Sequence, residues 1–454
     1  MLQRFLFKET NASTLCLFRI LFGALMAYQM IYYFKLDYVF QFIAGPEYLF
    51  SYPLTPFFAA LPEDVLSAIH FGLIISTVMI MLGFFYRYAL IFFTLGFTYF
   101  SFVDKTLYNN HLYLMSLIAF VMIFMEANNR YGFQSSNKKT APAWNLRLLQ
   151  FFIVLVYFYG GLSKLSIDWL NGSIPTAMVE QESNRLLSFL SKDFSILLLT
   201  YGGIVFDLLI GFILLWKPTR WIGVVLVLGF NIINGTFLFD DIGVFPFFMI
   251  CSTILFFDPE RVDQLISRFI PSSEKTKKVK KKAKGISNSI VYNAVWTQRQ
   301  KIITACLIFF VSFNLIWPFR SNLFTDNPEW TGHGSRFAWR MKMQTKEIET
   351  FKMTVMDGPN GKPTEINHRS FLSVNQMRHL VEDPFQIVQF AKYLRRKAIR
   401  KGMAKDPIIK ATVMVKFNGR PAQLYIDPTV DLTKVDESPW ADYDWIMKLQ
   451  KRRD

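Results

Sequence analysis

Nine apolar stretches, each fifteen residues or longer and separated by short polar gaps, run through the first 320 residues and all but dictate the fold class. They are Ala12–Phe34, Val65–Phe84, Ala89–Val103, Leu112–Ala127, Leu146–Ser163, Phe194–Trp216, Trp221–Phe239, Gly243–Phe257 and Ile302–Phe319. A helix needs about 20 apolar residues to cross a bilayer. Ala89–Val103 and Gly243–Phe257 are short, so eight or nine spans are expected. Apolar residues come in blocks rather than at helical or strand spacing, which two or three amphipathic soluble domains would show. The expected fold is mainly α, a polytopic membrane helix bundle. The first stretch lacks a small-residue cleavage site and reads as a true span.

The formal net charge of +16 could point to nucleic acid, but the cations are segregated. Arg4, Lys8, Arg87, Arg130, Lys138, Lys139, Arg147, Lys217, Arg220 and the eleven basic residues from Arg261 to Lys301 occupy gaps of one parity. The other gaps hold only Lys35, Lys105, Lys164, Arg185 and Lys192. The positive-inside rule then places the N-terminus in the cytoplasm and everything after Phe319 outside. The run Lys275–Lys284 (KTKKVKKKAK) would lie against an anionic cytoplasmic leaflet. Two domains follow: residues 1–319, a transmembrane unit with a basic cytoplasmic loop at 258–301, and residues 320–454 outside.

That second part mixes polar and apolar residues. Phe351–Met356 and Ile408–Phe417 read as strands, the latter turning through Asn418-Gly419 into Pro421–Ile426. Asp383–Lys401 reads as a basic amphipathic helix, so a small extracytoplasmic α+β domain is expected. Its basic face could meet an acidic peptide or simply face solvent. Cys16, Cys251 and Cys306 fall inside apolar stretches, where small buried hydrophobes are the ordinary reading. Phosphate-loop, zinc-protease and nucleophile-elbow motifs are absent, and no metal site is expected.

Ionisable groups in or beside spans mark functional sites by default, because their burial is unfavourable. Lys164 ends the fifth stretch in Tyr157-Phe-Tyr-Gly-Gly-Leu-Ser-Lys164-Leu-Ser-Ile-Asp168-Trp169. It is either a snorkelling lysine or one desolvated by Phe151, Phe152, Tyr157, Phe158 and Tyr159 so that it acts as a base. His111 opens the fourth stretch beside Asp104, Lys105, Tyr108, Asn109, Asn110 and Tyr113. It is a helix cap or part of a polar pocket, on the same side as Lys164. Arg19 and Asp207 could pair as a buried structural ion pair, and Asn231 and Asn234 could bond between helices.

At these residues the chain resembles the vitamin K-dependent gamma-glutamyl carboxylase family, over roughly Ala12–Trp440. The similar segments are Leu17-Phe18-Arg19-Ile20, Asp104-Lys105-Thr106 with Asn109-Asn110-His111, Met125-Glu-Ala-Asn128, Tyr157–Trp169, and Asn234 with Ile242-Gly243-Val-Phe-Pro246. Beyond the membrane, Trp330-Thr-Gly, Arg336-Phe-Ala-Trp339-Arg-Met and Asn418-Gly-Arg420 with Asp427-Pro428 are similar too. The resemblance implies a carboxylase with quinol epoxidase activity: reduced vitamin K, as phylloquinol or menaquinol, reacts with O2, and the base so formed deprotonates a peptide glutamate that takes up CO2. It implies Lys164 as the initiating base and His111 as a second catalytic residue. It places Asn110, Tyr108, Asn234 and Tyr157 around the quinol.

Several departures narrow that expectation. The chain stops soon after Asp427-Pro428, carries no cysteine near Tyr48–Pro53, and holds Asn231 where the animal enzymes have histidine. These point to a bacterial-type member in the inner membrane, its partners the bilayer and a glutamate-containing peptide or protein. They leave open a quinol oxygenase that carboxylates no protein. A transporter or scaffold of the same fold is the third reading, against which stands the absence of an internal repeat.

Overall fold

A computed structural model describes residues 1–52, 60–136, 138–181, 190–235, 242–269, 295–323, 327–438 and 443–450. The basic run Lys275–Lys284 lies outside the described residues. Every apolar stretch contains a helix: α1 (Ser13–Lys35), α2 (Glu63–Leu82), α3 (Tyr86–Phe102), α4 (Asn110–Ile123), α5 (Ala143–Ser163), α6 (Lys192–Leu215, with a π-turn at Leu198–Gly202), α7 (Arg220–Ile233), α8 (Phe245–Ser252) and α9 (Gln298–Ile316).

Five are long and apolar enough to cross a bilayer, namely α1, α2, α5, α6 and α9 with its 3-10 extension to Leu323. The expected span count of eight or nine is therefore not reached on helix length alone. The 14 residues of α4 cover about 21 Å, short of a hydrocarbon core of about 30 Å. That helix sits in the middle of the bundle, with Leu114, Met115, Ile118, Ala119 and Met122 fully enclosed. The rim differs, since Phe309, Ile316, Trp216 and Val225 are each more than 60% exposed. Apolar surface on that scale is stable only against lipid or another apolar partner, which makes this a membrane protein.

Arg19 corrects one expectation. It does not pair with Asp207; its guanidinium, wholly buried in α1, donates to Ile80 O at 3.3 Å, Asn128 Oδ1 at 2.9 Å and Tyr131 O at 2.7 Å. Ile80 O belongs to the last turn of α2, whose carbonyls lack the i+4 donors of the helix interior; it accepts from Gly83 N at 3.2 Å as well as from Arg19. Gly83 closes that helix at φ +69°, and a Cβ there would sit 2.0 Å from Arg19 Nη1. Arginine and glycine thus cap α2 together.

The sheet domain has strands β1 (Lys346–Asp357), β2 (Thr364–Glu365), β3 (Pro407–Phe417) and β4 (Gln423–Leu424), all antiparallel in the order β2-β1-β3-β4. In β3 burial alternates, with Ile409, Ala411, Val413, Val415 and Phe417 inward. Asn418 and Gly419 both adopt positive φ, as a two-residue hairpin turn requires. The returning strand is shorter than expected, only Gln423–Leu424, because the chain then leaves the sheet to bring Ile426 against Ile446. Helix α10 (Pro384–Arg400) is capped by Asp383, whose side chain accepts from Phe385 N at 3.0 Å. It buries Phe385, Ile387, Val388, Phe390, Ala391 and Leu394 against the sheet, each large apolar side chain contributing about 1.5–3 kcal/mol. A second pairing, Glu9–Asn11 with Thr140–Pro142, ties the start of the chain to the start of α5; its short polar segments gave no strand signal.

Polar groups join the two parts. Arg420 makes a two-pronged bond to Asp168, at 2.8 and 2.6 Å, and Asn418 Nδ2 donates to the same carboxylate at 2.9 Å. Gln376 Nε2 donates to Asp104 Oδ2 at 2.9 Å and to Tyr48 O at 2.7 Å. Asp383 is buried between Lys105 and Arg336, with Arg336 Nη1 at 2.6 Å and Lys105 Nζ at 3.8 Å. Burial would raise that carboxyl, yet the two cations hold it below the usual range.

Candidate functional site

A cavity of about 350 Å³ lies where the ends of α4, α5, α6, α7 and α8 meet the segment 335–344 of the sheet domain. Lys164, His111, Asn110, Tyr108, Asn234 and Tyr157 all line it. Residues from three separate stretches are thus brought to one space.

Lys164 stands at the C-cap of α5, and its Nζ is bonded to Asp207 Oδ2 on α6. Both side chains are largely enclosed, and the ammonium also lies 5.1 Å from the ring centre of Trp169. The glycine pair before it makes this meeting possible. A Cβ on Gly161 would come 2.9 Å from Leu208 N, and one on Gly160 would come 3.2 Å from Asp207 Oδ2. Any larger residue at 161 would push α6 away and separate the pair.

The aromatic wall expected around Lys164 is only partly there. Phe151 and Phe152 sit some three helical turns back, and Phe158 and Tyr159 pack against Phe212 and Phe319. Tyr157 does line the cavity, and its hydroxyl accepts from Asn231 Nδ2 at 3.1 Å. The group that answers the lysine charge is Asp207. Its sequence signal was present, a lone carboxylate in an apolar stretch, but the stretch gave no means of choosing its partner.

On the opposite wall, Asn110 begins α4 and His111 follows it. The His111 ring stacks on Phe245 of α8, with centroids 5.8 Å apart. Tyr108 donates to Asn110 Oδ1 at 2.8 Å and accepts from Phe337 N at 2.6 Å, while Asn110 Nδ2 donates to Arg340 O at 3.1 Å. The Tyr108–Asn110 step is thereby fastened to the sheet domain's segment. Asn234, at the C-cap of α7, also faces the cavity.

The roof of the cavity was not read from the sequence as part of the site. Residues 335–344 form no regular element, and Phe337, Trp339 and Lys342 adopt φ of +57°, +58° and +54°. Non-glycine residues there each carry about 1 kcal/mol or more of backbone strain. Packing holds the conformation: Phe337 lies 4.8 Å from Tyr108 and 5.0 Å from Tyr113, and Trp339 stacks on Tyr113 at 4.8 Å. Met341 covers the Lys164–Asp207 pair, its Cε 3.0 Å from where a Gly160 Cβ would be. Glu329, Arg336, Arg340, His379 and Glu382 complete the lining. The signal available was the Arg336–Met341 motif, which pointed to relatives but not to a place.

The geometry offers a hydrogen-bonded Lys–Asp pair, amide and imidazole hydrogen-bonding groups, and apolar walls from Val156, Phe230, Ile242 and Phe245. Ligand pockets span about 300–1,000 Å³, so the space is large enough for a small organic molecule. Among the described residues no His/Cys/Asp/Glu group could hold a metal ion.

Comparison with known proteins gives two matches. The HTTM domain family matches residues 7–260, and the vitamin K-dependent gamma-carboxylase lumenal domain matches residues 299–452. No solved structure matches the chain.

Proposed function

The chain belongs to the vitamin K-dependent gamma-carboxylase family, and on that premise we propose that the cavity is a quinol site at which oxygenation is coupled to carboxylation of a glutamyl side chain. The observation that carries this reading is the Lys164–Asp207 pair, enclosed in a cavity between the membrane helices and the sheet domain.

Reduced vitamin K held there would supply, with O2, the strong base that removes a γ-proton before CO2 adds. Asn110 and His111 would hydrogen-bond its oxygens, and Tyr108 fixes Asn110. Tyr157, Asn234 and the apolar walls orient the ring. The Lys164–Asp207 pair holds one proton between Nζ and Oδ2 and carries no net charge. When Nζ is the bare amine and Oδ2 carries that proton, Nζ accepts a hydroxyl proton from the bound ring. The positive charge then left on the pair stabilises the negative charge left on the ring oxygen. Enclosure strengthens that attraction, because few waters screen it. Met341, packed beside Gly160, limits the access of water to the pair.

The charge distribution of the gaps supports an orientation with this cavity on the non-cytoplasmic side, where a peptide would reach it from outside and a quinol from lipid. The bacterial inner membrane is the setting we favour.

The deciding experiment supplies the purified protein with reduced vitamin K, O2 and labelled bicarbonate, with and without a glutamate-rich peptide. Epoxide together with peptide-bound label is expected. Epoxide without label would reduce the function to quinol oxygenation, and neither product from folded protein would sink the proposal. Lys164→Ala should lower epoxide formation at least about a hundredfold, the scale of a lost general base.

A further inference from the structure

The roof of the cavity carries a cation that the proton-transfer chemistry does not use. Arg340 spends one edge of its guanidinium on Glu329, to which Nε donates. No described residue bonds to Nη1 or Nη2. Arginine presents five donors in a rigid fork, so a side-on partner leaves the end-on face available.

The position of that face matters. Arg340 lines the 350 Å³ cavity and also a second cavity of about 270 Å³ beside Tyr159, Ser163 and Phe319. Its backbone carbonyl is held by Asn110, next in sequence to His111. Its neighbour in the chain, Met341, touches the Lys164–Asp207 site. Glu329 is only 9% exposed, which shows that a carboxylate can be desolvated at this spot and stay paired.

We propose that Arg340 is the carboxylate-recognising residue of the site: its end-on guanidinium face takes the side-chain carboxylate of an acidic peptide substrate, and Glu329 is the resident counter-ion that tempers this binding. This rests on the reading of the cavity as a carboxylase site but concerns acid recognition alone. Glutamine presents no anion to the fork. A charge-assisted two-pronged bond is roughly twice as strong as a neutral one, so the site discriminates Glu from Gln. Arg340 and Glu329 act in opposite directions, because removing Glu329 leaves the arginine without a counter-charge.

Binding can be measured without turnover. A short glutamate-containing peptide and its glutamine twin are titrated into the full-length protein in nanodiscs, with tryptophan fluorescence as the signal. Wild type should bind the glutamate peptide at least tenfold more tightly than the twin. Arg340→Gln should erase that preference by weakening the glutamate peptide alone, Arg340→Lys should restore part of it, and Glu329→Gln should tighten the glutamate peptide. Lys138→Gln, at an exposed pair with Glu9 and Glu126 away from the cavity lining, should change nothing. The proposal is overturned by a wild type that does not distinguish the peptides, by Arg340→Gln that keeps the preference, or by Glu329→Gln that weakens binding as Arg340→Gln does. Wild type that prefers glutamate but makes no epoxide would defeat the proposed reaction and leave Arg340's role standing.

Discussion

Two cations of the helix bundle, Arg19 and Lys164, are held in opposite ways. Arg19 is wholly enclosed by neutral oxygens, two backbone carbonyls and one amide, with no carboxylate bonded to it. Lys164 faces a cavity and is bonded to a carboxylate on the next helix. Arginine keeps its proton, so carbonyls suffice to solvate it and the result is a rigid clamp on the end of α2. A lysine beside a carboxylate can exchange its proton with that partner, and the proposed quinol would occupy the space next to it. The two cations thus differ in what faces them: a carboxylate and a void at Lys164, neutral oxygens and close packing at Arg19.

The comparison breaks most sharply under substitution. Arg19→Leu should leave the Asn128 and Tyr131 oxygens without donors in the bundle, and Ile80 O with the Gly83 amide alone. A loss of about 2–6 kcal/mol is expected, at about 1–3 kcal/mol for each buried oxygen left unpaired. Thermal unfolding in detergent would show it as a large fall in Tm, whereas Lys164→Ala should unfold near the wild-type temperature while losing turnover. If Arg19→Leu unfolds normally, the clamp is not structural.

Next in size is the joint between the two parts. Asp168→Asn keeps the Asn418 contact but removes the charge from the two-pronged bond to Arg420, a change of about 1.5–3 kcal/mol for hydrogen bonds to a charged group. Hydrogen exchange should accelerate in the Asn418–Arg420 turn and in segment 335–344 while the core of α4 stays protected. Unchanged exchange in the turn would mean that Asp168 does not dock the domain.

A third cation sharpens the contrast by its response to pH. Lys346 donates to Trp330 O, Glu382 O and the Tyr425 hydroxyl, and burial pushes it down to about 7 against the pull of Glu382, Asp383 and Glu329. Its folded value lies below its unfolded one, so between them the unfolded chain binds the extra proton. Stability from this group therefore rises as pH goes from about 7 towards 10, by up to about 1.4 kcal/mol per unit. Lys346→Met should flatten that slope in denaturation experiments across the range. A variant with the wild-type slope would assign the pH dependence elsewhere.

The smallest effect is expected at the surface. Glu47 bonds to Lys397 where the loop after α1 meets α10; the glutamate is open to solvent and the lysine lies half-buried against Phe371. Glu47→Gln should shift stability by less than about 0.5 kcal/mol. A drop of 2 kcal/mol or more would show that this contact fastens the domain as Asp168 does.

The amino-acid order alone determined that this chain lives in a membrane, because blocks of apolar residues can be satisfied only by lipid or by each other. It located the helices of the nine apolar stretches to within several residues, and gave no signal for shorter ones such as Ser173–Gln181 and Pro259–Phe269. It also marked β3 and α10, whose alternating and amphipathic patterns survive in the folded domain, and it named Lys164, His111 and Asn110 through segment likeness. It misjudged what tertiary contact decides. Arg19 and Asp207 looked like natural partners because two opposite charges in apolar stretches seem to require each other. Only packing showed that Ile80 and Tyr131 carbonyls answer the first, while Gly160 and Gly161 bring the second to Lys164. The strained roof of residues 335–344 had no periodicity to read, since its conformation is imposed by Tyr108, Tyr113 and the helices beneath it. Composition and periodicity are local and survive in the sequence; the partner of a buried charge is set by which helix faces come together, and that exists only in three dimensions.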